Sequence, residues 1–272
     1  MFRTFAARFS LVGLAAIAGS QQLGAQQAAA TGSGSGATRT AVASAKPTIV
    51  LVHGAFADAT GWQHVIPLLE KDGYNVVAVQ NALTSYADDI ATTKRFIDAQ
   101  QGPVVVVGHS YGGAVITGAA AGNANVKALV YLAAFAPDDN EPIGAFGEKY
   151  PSSLGPSLRP DAAGFIYIDR ATFRDVFARD VSLVESRVMS ATQKPINGAT
   201  FGASTATAAW KTIPSFYLVS QEDRAINPDL ERFYARRMGA TTEEIKASHV
   251  AFISKPNAVA KFIEQAATAS AK

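Results

Sequence analysis

The stretch VVVVGHSYGGAVITGAAAG, from Val104 to Gly122, constrains the fold more than any other part of the chain. Four β-branched residues in a row have no polar face, so the strand they form must be covered on both sides. A sheet with helices on each face is the architecture that does this. Ser110 then stands between Gly108 and Gly112, and the chain runs on as a helix without a charged residue. A strand that reverses directly into a helix forces the corner residue into a strained backbone conformation, and glycine neighbours remove the side chains that would collide there. Gly113 lets the new helix pack close to the sheet. The Ser110 hydroxyl is thereby lifted clear of the sheet, at a helix N-terminus where negative charge is favoured.

The rest of the chain repeats the alternation. "TIVLVHG" reads as a strand, Trp62 to Asp72 as an amphipathic helix, "NVVAVQ" as a second strand and Asp88 to Gln101 as a helix leading into "PVVVVGHS". After the helix from Gly112 come "KALVYLAAF", then "PSFYLVSQED", a helix from Pro228 to Met238, a strand near "EEIKAS" and a last helix from Pro256 to about Ala267. Apolar strands alternating with helices predict an α/β fold with a mostly parallel, doubly wound sheet of about six strands. The pattern breaks over residues 137–210, which hold Pro and Gly clusters and one or two helices around Ala171 to Ala191. The aromatics Phe146, Tyr150, Phe165, Tyr167, Phe173 and Phe177 in this region favour a packed, small helical cap over an open loop.

The folded domain is expected over residues 47–272. Ahead of it, Arg3 and Arg8 precede the short apolar run LVGLAAIAG, the outline of a signal peptide over residues 1–25. Residues 26–46, rich in Gly, Ser, Thr and Ala, read as a flexible linker. The apolar run is too short for a stable membrane anchor, so an exported, periplasmic or secreted protein is expected. With 0 cysteines there is neither a disulfide framework nor a thiolate metal site. The formal charge of +2 falls to zero once Arg3 and Arg8 are removed, which leaves no electrostatic case for nucleic acid.

A serine hydroxyl becomes a nucleophile when a base takes its proton, and histidine is the usual base because it titrates near neutrality. Of the four histidines, His53 closes the first strand, His64 sits on the first helix and His109 lies inside the turn, facing away from the serine. His249, on the loop after the last strand, is the candidate base. The base needs a carboxylate partner, for which Asp223 in "SQEDRAI" is the leading candidate, with Glu222, Asp138 and Asp139 as rivals. Oxyanion donors are expected at the amide of Tyr111, directly after the serine, and at the amide of Ala55, where Gly54 opens the turn after the first strand.

Taken together, "LVHGAFADATGW", "VVGHSYGG", "SQEDRAI" and "SHVAFISKP" resemble the α/β-hydrolase superfamily, and within it the small-cap branch of plant methyl-ester esterases, hydroxynitrile lyases and their bacterial relatives. The resemblance runs over nearly everything from Pro47 onward. It implies Ser110, Asp223 and His249 as a catalytic triad in the family's Ser-Asp-His order, Ala55 and Tyr111 as the oxyanion hole, and no metal or organic cofactor. It also implies a carboxylic-ester hydrolase, and the aromatics of the cap point to a small ester with an apolar acyl or aryl group. Hydroxynitrile lyases of this branch carry Lys after the catalytic His and Thr near the first oxyanion position, where this chain has Val250 and Gly54. A lactonase, an amidase, a lyase on the same triad and a non-catalytic small-ligand receptor stand as alternatives.

Overall fold

A computed structural model describes residues 46–270. The expected leader at 1–25 and all but the last residue of the expected linker lie outside these residues. A central six-stranded sheet has the order β2-β1-β3-β4-β8-β9. Its strands are β1 (Thr48–Val52), β2 (Val76–Val79), β3 (Val104–His109), β4 (Val126–Leu132), β8 (Ser215–Ser220) and β9 (Thr241–Ile245). All five pairings are parallel, which accords with strands that are apolar along their whole length.

Val104 to Val107 of β3 are completely buried, and each stabilises the fold by about 1.5–3 kcal/mol relative to exposure. The outermost strand β9 is the exception in composition. Its sequence TTEEI is exposed and carries two carboxylates, which discourages pairing with another chain at that edge.

Helices α1 (Ile66–Lys71), α2 (Tyr86–Asp98) and α3 (Tyr111–Ala119) follow the first three strands, and α7 (Pro228–Met238), α8 (Ala251–Ser254) and α9 (Pro256–Ala269) complete the domain. Asn227 caps α7 by accepting from the Asp229 amide, Pro228 occupies its first turn, and Gly239 ends it in a left-handed conformation.

Between β4 and β8 the chain makes α4 (Leu154–Ser157), α5 (Phe173–Phe177) and α6 (Leu183–Thr192). The same segment builds an antiparallel sheet from β5 (Leu158–Pro160), β6 (Phe165–Ile168) and β7 (Ile196–Asn197). This insertion is therefore mixed rather than purely helical. The aromatic residues Phe165 and Tyr167 belong to its middle strand, and Phe173 and Phe177 are buried on α5.

Candidate active site

Ser110 sits where β3 turns into α3, with φ 54° and ψ −124°, a conformation that costs a non-glycine residue on the order of 1–3 kcal/mol. The surroundings hold it there. The Ser110 amide donates to Leu132 O at 3.2 Å, and Ser110 O accepts from the amides of Gly113 at 3.0 Å and Phe135 at 3.1 Å. The flanking glycines are required by space: a Cβ on Gly108 would lie 2.6 Å from Gly112 O, and one on Gly112 would lie 2.5 Å from Val52 O. The side chain of Tyr111 points away from the turn. Its hydroxyl donates to Asp89 at 2.8 Å, tying α3 to α2.

His249 and Asp223 are both buried, and Nδ1 of the imidazole lies 2.5 Å from Asp223 Oδ2. The other carboxylate oxygen accepts from the amides of Ala225 at 2.6 Å and Ile226 at 3.0 Å, so the carboxylate is fixed from both sides. With the Nδ1 proton directed at Asp223, Nε2 carries the lone pair. It is buried and has no hydrogen-bond partner among the described residues.

The rival acids are engaged elsewhere. Asp138 and Asp139 form ion pairs with Lys211 at 2.5 and 2.9 Å, and Glu222 lies 3.9 Å from Lys246 at the surface.

The turn after β1 is pressed against the serine. A Cβ on Gly54 would stand 2.7 Å from Ser110 Cβ and 3.0 Å from His109 O. The amide of Ala55 donates to no acceptor among the described residues, and Tyr111 is the first residue of α3, where amides have no acceptor within the helix. His53 braces the same turn: Nδ1 donates to Gly54 O at 2.8 Å, and Nε2 accepts from the Asn81 amide at 3.1 Å. Burial lowers the pKa of His53 from 6.5 to about 4, so it is a neutral strut near neutral pH.

His109 faces away from the serine, as the turn geometry requires, but it is not idle. Its Nε2 donates to the backbone carbonyl of His249 at 2.9 Å, and the two rings lie 4.6 Å apart. Burial and the neighbouring His249 hold its pKa well below the ordinary value, which keeps a second positive charge away from His249. Sequence reading also passed over Glu231 on α7. It is fully buried and accepts from the Ser220 amide at 3.0 Å, and burial and the charge of Asp223 hold its pKa well above the usual carboxylate value. Its position on an amphipathic helix gave no sign that it would point inward.

The insertion closes over this arrangement. The Phe177 ring lies 4.9 Å from that of His249 and meets Phe56, itself at φ 61°, edge-on at 6.2 Å. Phe56 and Phe177 also line a pocket between residues 56–63 and α6, with Val188, Met189, Val250 and Phe252 on its apolar side; neither Ser110 nor His249 lies on its wall. Among the described residues no group of three or more His, Asp or Glu could hold a metal ion.

Sheet order, the strained serine and the paired Asp–His define a class of fold, and the comparison with known proteins agrees. The chain belongs to the α/β-hydrolase family, whose model matches residues 49–262. It is similar to a probable hydrolase, R7, of Phoma sp., with 29% identity over 203 residues covering 68% of this chain and 80% of that one. It is also similar to methylesterase 2 of Arabidopsis thaliana, with 26% identity over 242 residues covering 78% and 92%. In structure, the crystal structure of polyneuridine aldehyde esterase superposes with a TM-score of 0.72 at 19% identity, covering 81% of this chain and 98% of that one.

Proposed function

We propose that the protein is a carboxylic-ester hydrolase that works through an acyl-enzyme on Ser110, with His249 as base and acid and Asp223 as its orienting carboxylate. The observation that carries this reading is the Asp223–His249 pair, whose Nε2 is free to accept a proton, packed against His109, the residue directly before Ser110 and its strained turn. Ser110 Oγ attacks the acyl carbon while its proton passes to Nε2. Asp223 stabilises the imidazolium that results. The amides of Ala55 and Tyr111 receive the oxyanion, and collapse of the tetrahedral intermediate expels the alcohol, which takes its proton from His249. Water then repeats the sequence on the acyl-enzyme, releasing the acid and restoring Ser110.

The pocket lined by Phe56 and Phe177 favours a neutral substrate with an apolar acyl or aryl group. Asp58 and Glu185 line its polar side, and no Lys or Arg does, so an anionic group finds no partner there. The esterase names of several relatives point the same way. A lyase needs a positive group to receive cyanide. Val250, directly after His249, is fully buried, while the side chain of Lys246 is 82% exposed and turned to Glu222. The leader-like residues 1–25 support export to the periplasm or beyond, with the domain following the linker at 26–46.

A panel of uncharged esters of graded chain length, run beside mandelonitrile, tests the reading. Ester hydrolysis that disappears in Ser110→Ala, with no cyanide release above background, is expected. Cyanide release dependent on Ser110, with every ester untouched, would make the protein a lyase instead.

A further inference from the structure

Three residues beyond Phe177, the same turn of the insertion carries Asp180. Its carboxylate accepts three hydrogen bonds from the segment that bears the candidate base. Oδ2 takes the Ser248 amide at 3.1 Å and the Ser254 hydroxyl at 2.7 Å, while Oδ1 takes the Ser248 hydroxyl. Ser248 is buried and directly precedes His249. One short piece of the insertion therefore meets this segment twice, at the His249 ring through Phe177 and at the preceding residue, Ser248, through Asp180. From the other side, His109 grips the carbonyl of His249.

We infer that Asp180 is a positioning residue for His249, fastening the insertion to the histidine loop so that the imidazole is aligned only when the insertion is seated over the site. The inference rests on the esterase reading for its kinetic consequence but not for its structural one. Backbone and hydroxyl bonds to an ionised carboxylate are stronger than neutral ones. Burial opposes ionisation of Asp180, yet the hydrogen bonds from Ser248 and Ser254 outweigh it and lower the pKa, so the carboxylate is charged at neutral pH. A base displaced by a fraction of an ångström transfers a proton poorly while the substrate still binds, so the loss should fall on kcat rather than on KM.

The test uses the purified full chain and the variants Asp180→Asn, Ser248→Ala and the double variant. Each is measured by steady-state hydrolysis of a short uncharged ester and by deuterium uptake in the segment Lys246–Ser254. In Asp180→Asn, kcat should fall roughly 10- to 100-fold with KM nearly unchanged, and uptake in that segment should rise. The double variant should be no worse than Asp180→Asn alone, because the two residues act through one contact. Unchanged kcat and unchanged uptake would overturn the inference. So would a loss of activity that follows a lowered Tm with no local rise in uptake, since that marks a general structural role. A wild-type protein that hydrolyses no ester would sink the esterase reading, and uptake alone would then decide: a local rise supports the fastening, and its absence refutes it.

Discussion

The ring of Phe177 lies 4.9 Å from the imidazole of His249, so a residue of the insertion covers the candidate base and also lines the pocket. Ser110, Asp223 and His249 are accordingly each less than a tenth exposed. Substrate entry must displace Phe177 or pass beside it. Replacing it by Leu, which stays apolar but loses the ring's breadth, should shift the ratio of kcat/KM values toward bulky acyl groups over acetyl. An unchanged ratio across a chain-length series would show that substrate approaches by another path.

Gly54 stands so close to the serine that a methyl group there would overlap Ser110 Cβ at 2.7 Å. The Gly54→Ala variant must therefore move either the turn that carries the Ala55 amide or the serine. Turnover should fall roughly 10²- to 10³-fold, the loss typical of a displaced oxyanion donor, with the fold retained by circular dichroism. Activity within a few-fold of wild type would remove Ala55 from the oxyanion hole.

Asp223→Asn should lower kcat by about 10⁴-fold, because an amide that turns its NH₂ toward Nδ1 favours the wrong imidazole tautomer. Asp138→Asn, which breaks only a surface pair with Lys211, should leave kcat unchanged. The reverse pattern would assign the carboxylate to the loop after β4.

Stability should depend on pH through the buried histidines. His53 has its pKa lowered from 6.5 to about 4 by burial, so between these values the unfolded chain binds more protons than the folded one. Stability is full above about pH 6.5 and declines as the pH falls toward 4, by about 3 kcal/mol from this residue alone. His109, also lowered by burial, adds to the same decline. Urea unfolding at pH 7 and pH 4.5 should show a smaller loss in His53→Gln than in wild type. Equal losses would mean that His53 is not neutral in the folded protein.

Much of this was legible in the sequence, for physical reasons. Strands without a polar face announce a covered parallel sheet, and the crowding of glycines around Ser110 announces a tight corner, because both patterns follow from excluded volume and solvation. The helix from Pro228 to Met238 carried its own stop and start signals. The antiparallel sheet of the insertion did not show, since strands of two to four residues are too short to display a period. Nothing in the sequence singles out Asp180 or Glu231. Their surroundings depend on how the chain folds, which brings Ser248 from 68 residues away to Asp180 and turns Glu231 inward toward Asp223, and no local pattern encodes that.

Activation of Ser110 as a nucleophile is measured most directly with a fluorophosphonate probe. Such a probe reacts quickly only with a serine whose proton has an acceptor and whose adduct has oxyanion donors. Mass spectrometry of the labelled protein should find one adduct, on the peptide containing Ser110, absent in Ser110→Ala and formed far more slowly in His249→Ala. Labelling that persists in Ser110→Ala, or a wild-type protein that hydrolyses esters while remaining unlabelled, would contradict that activation.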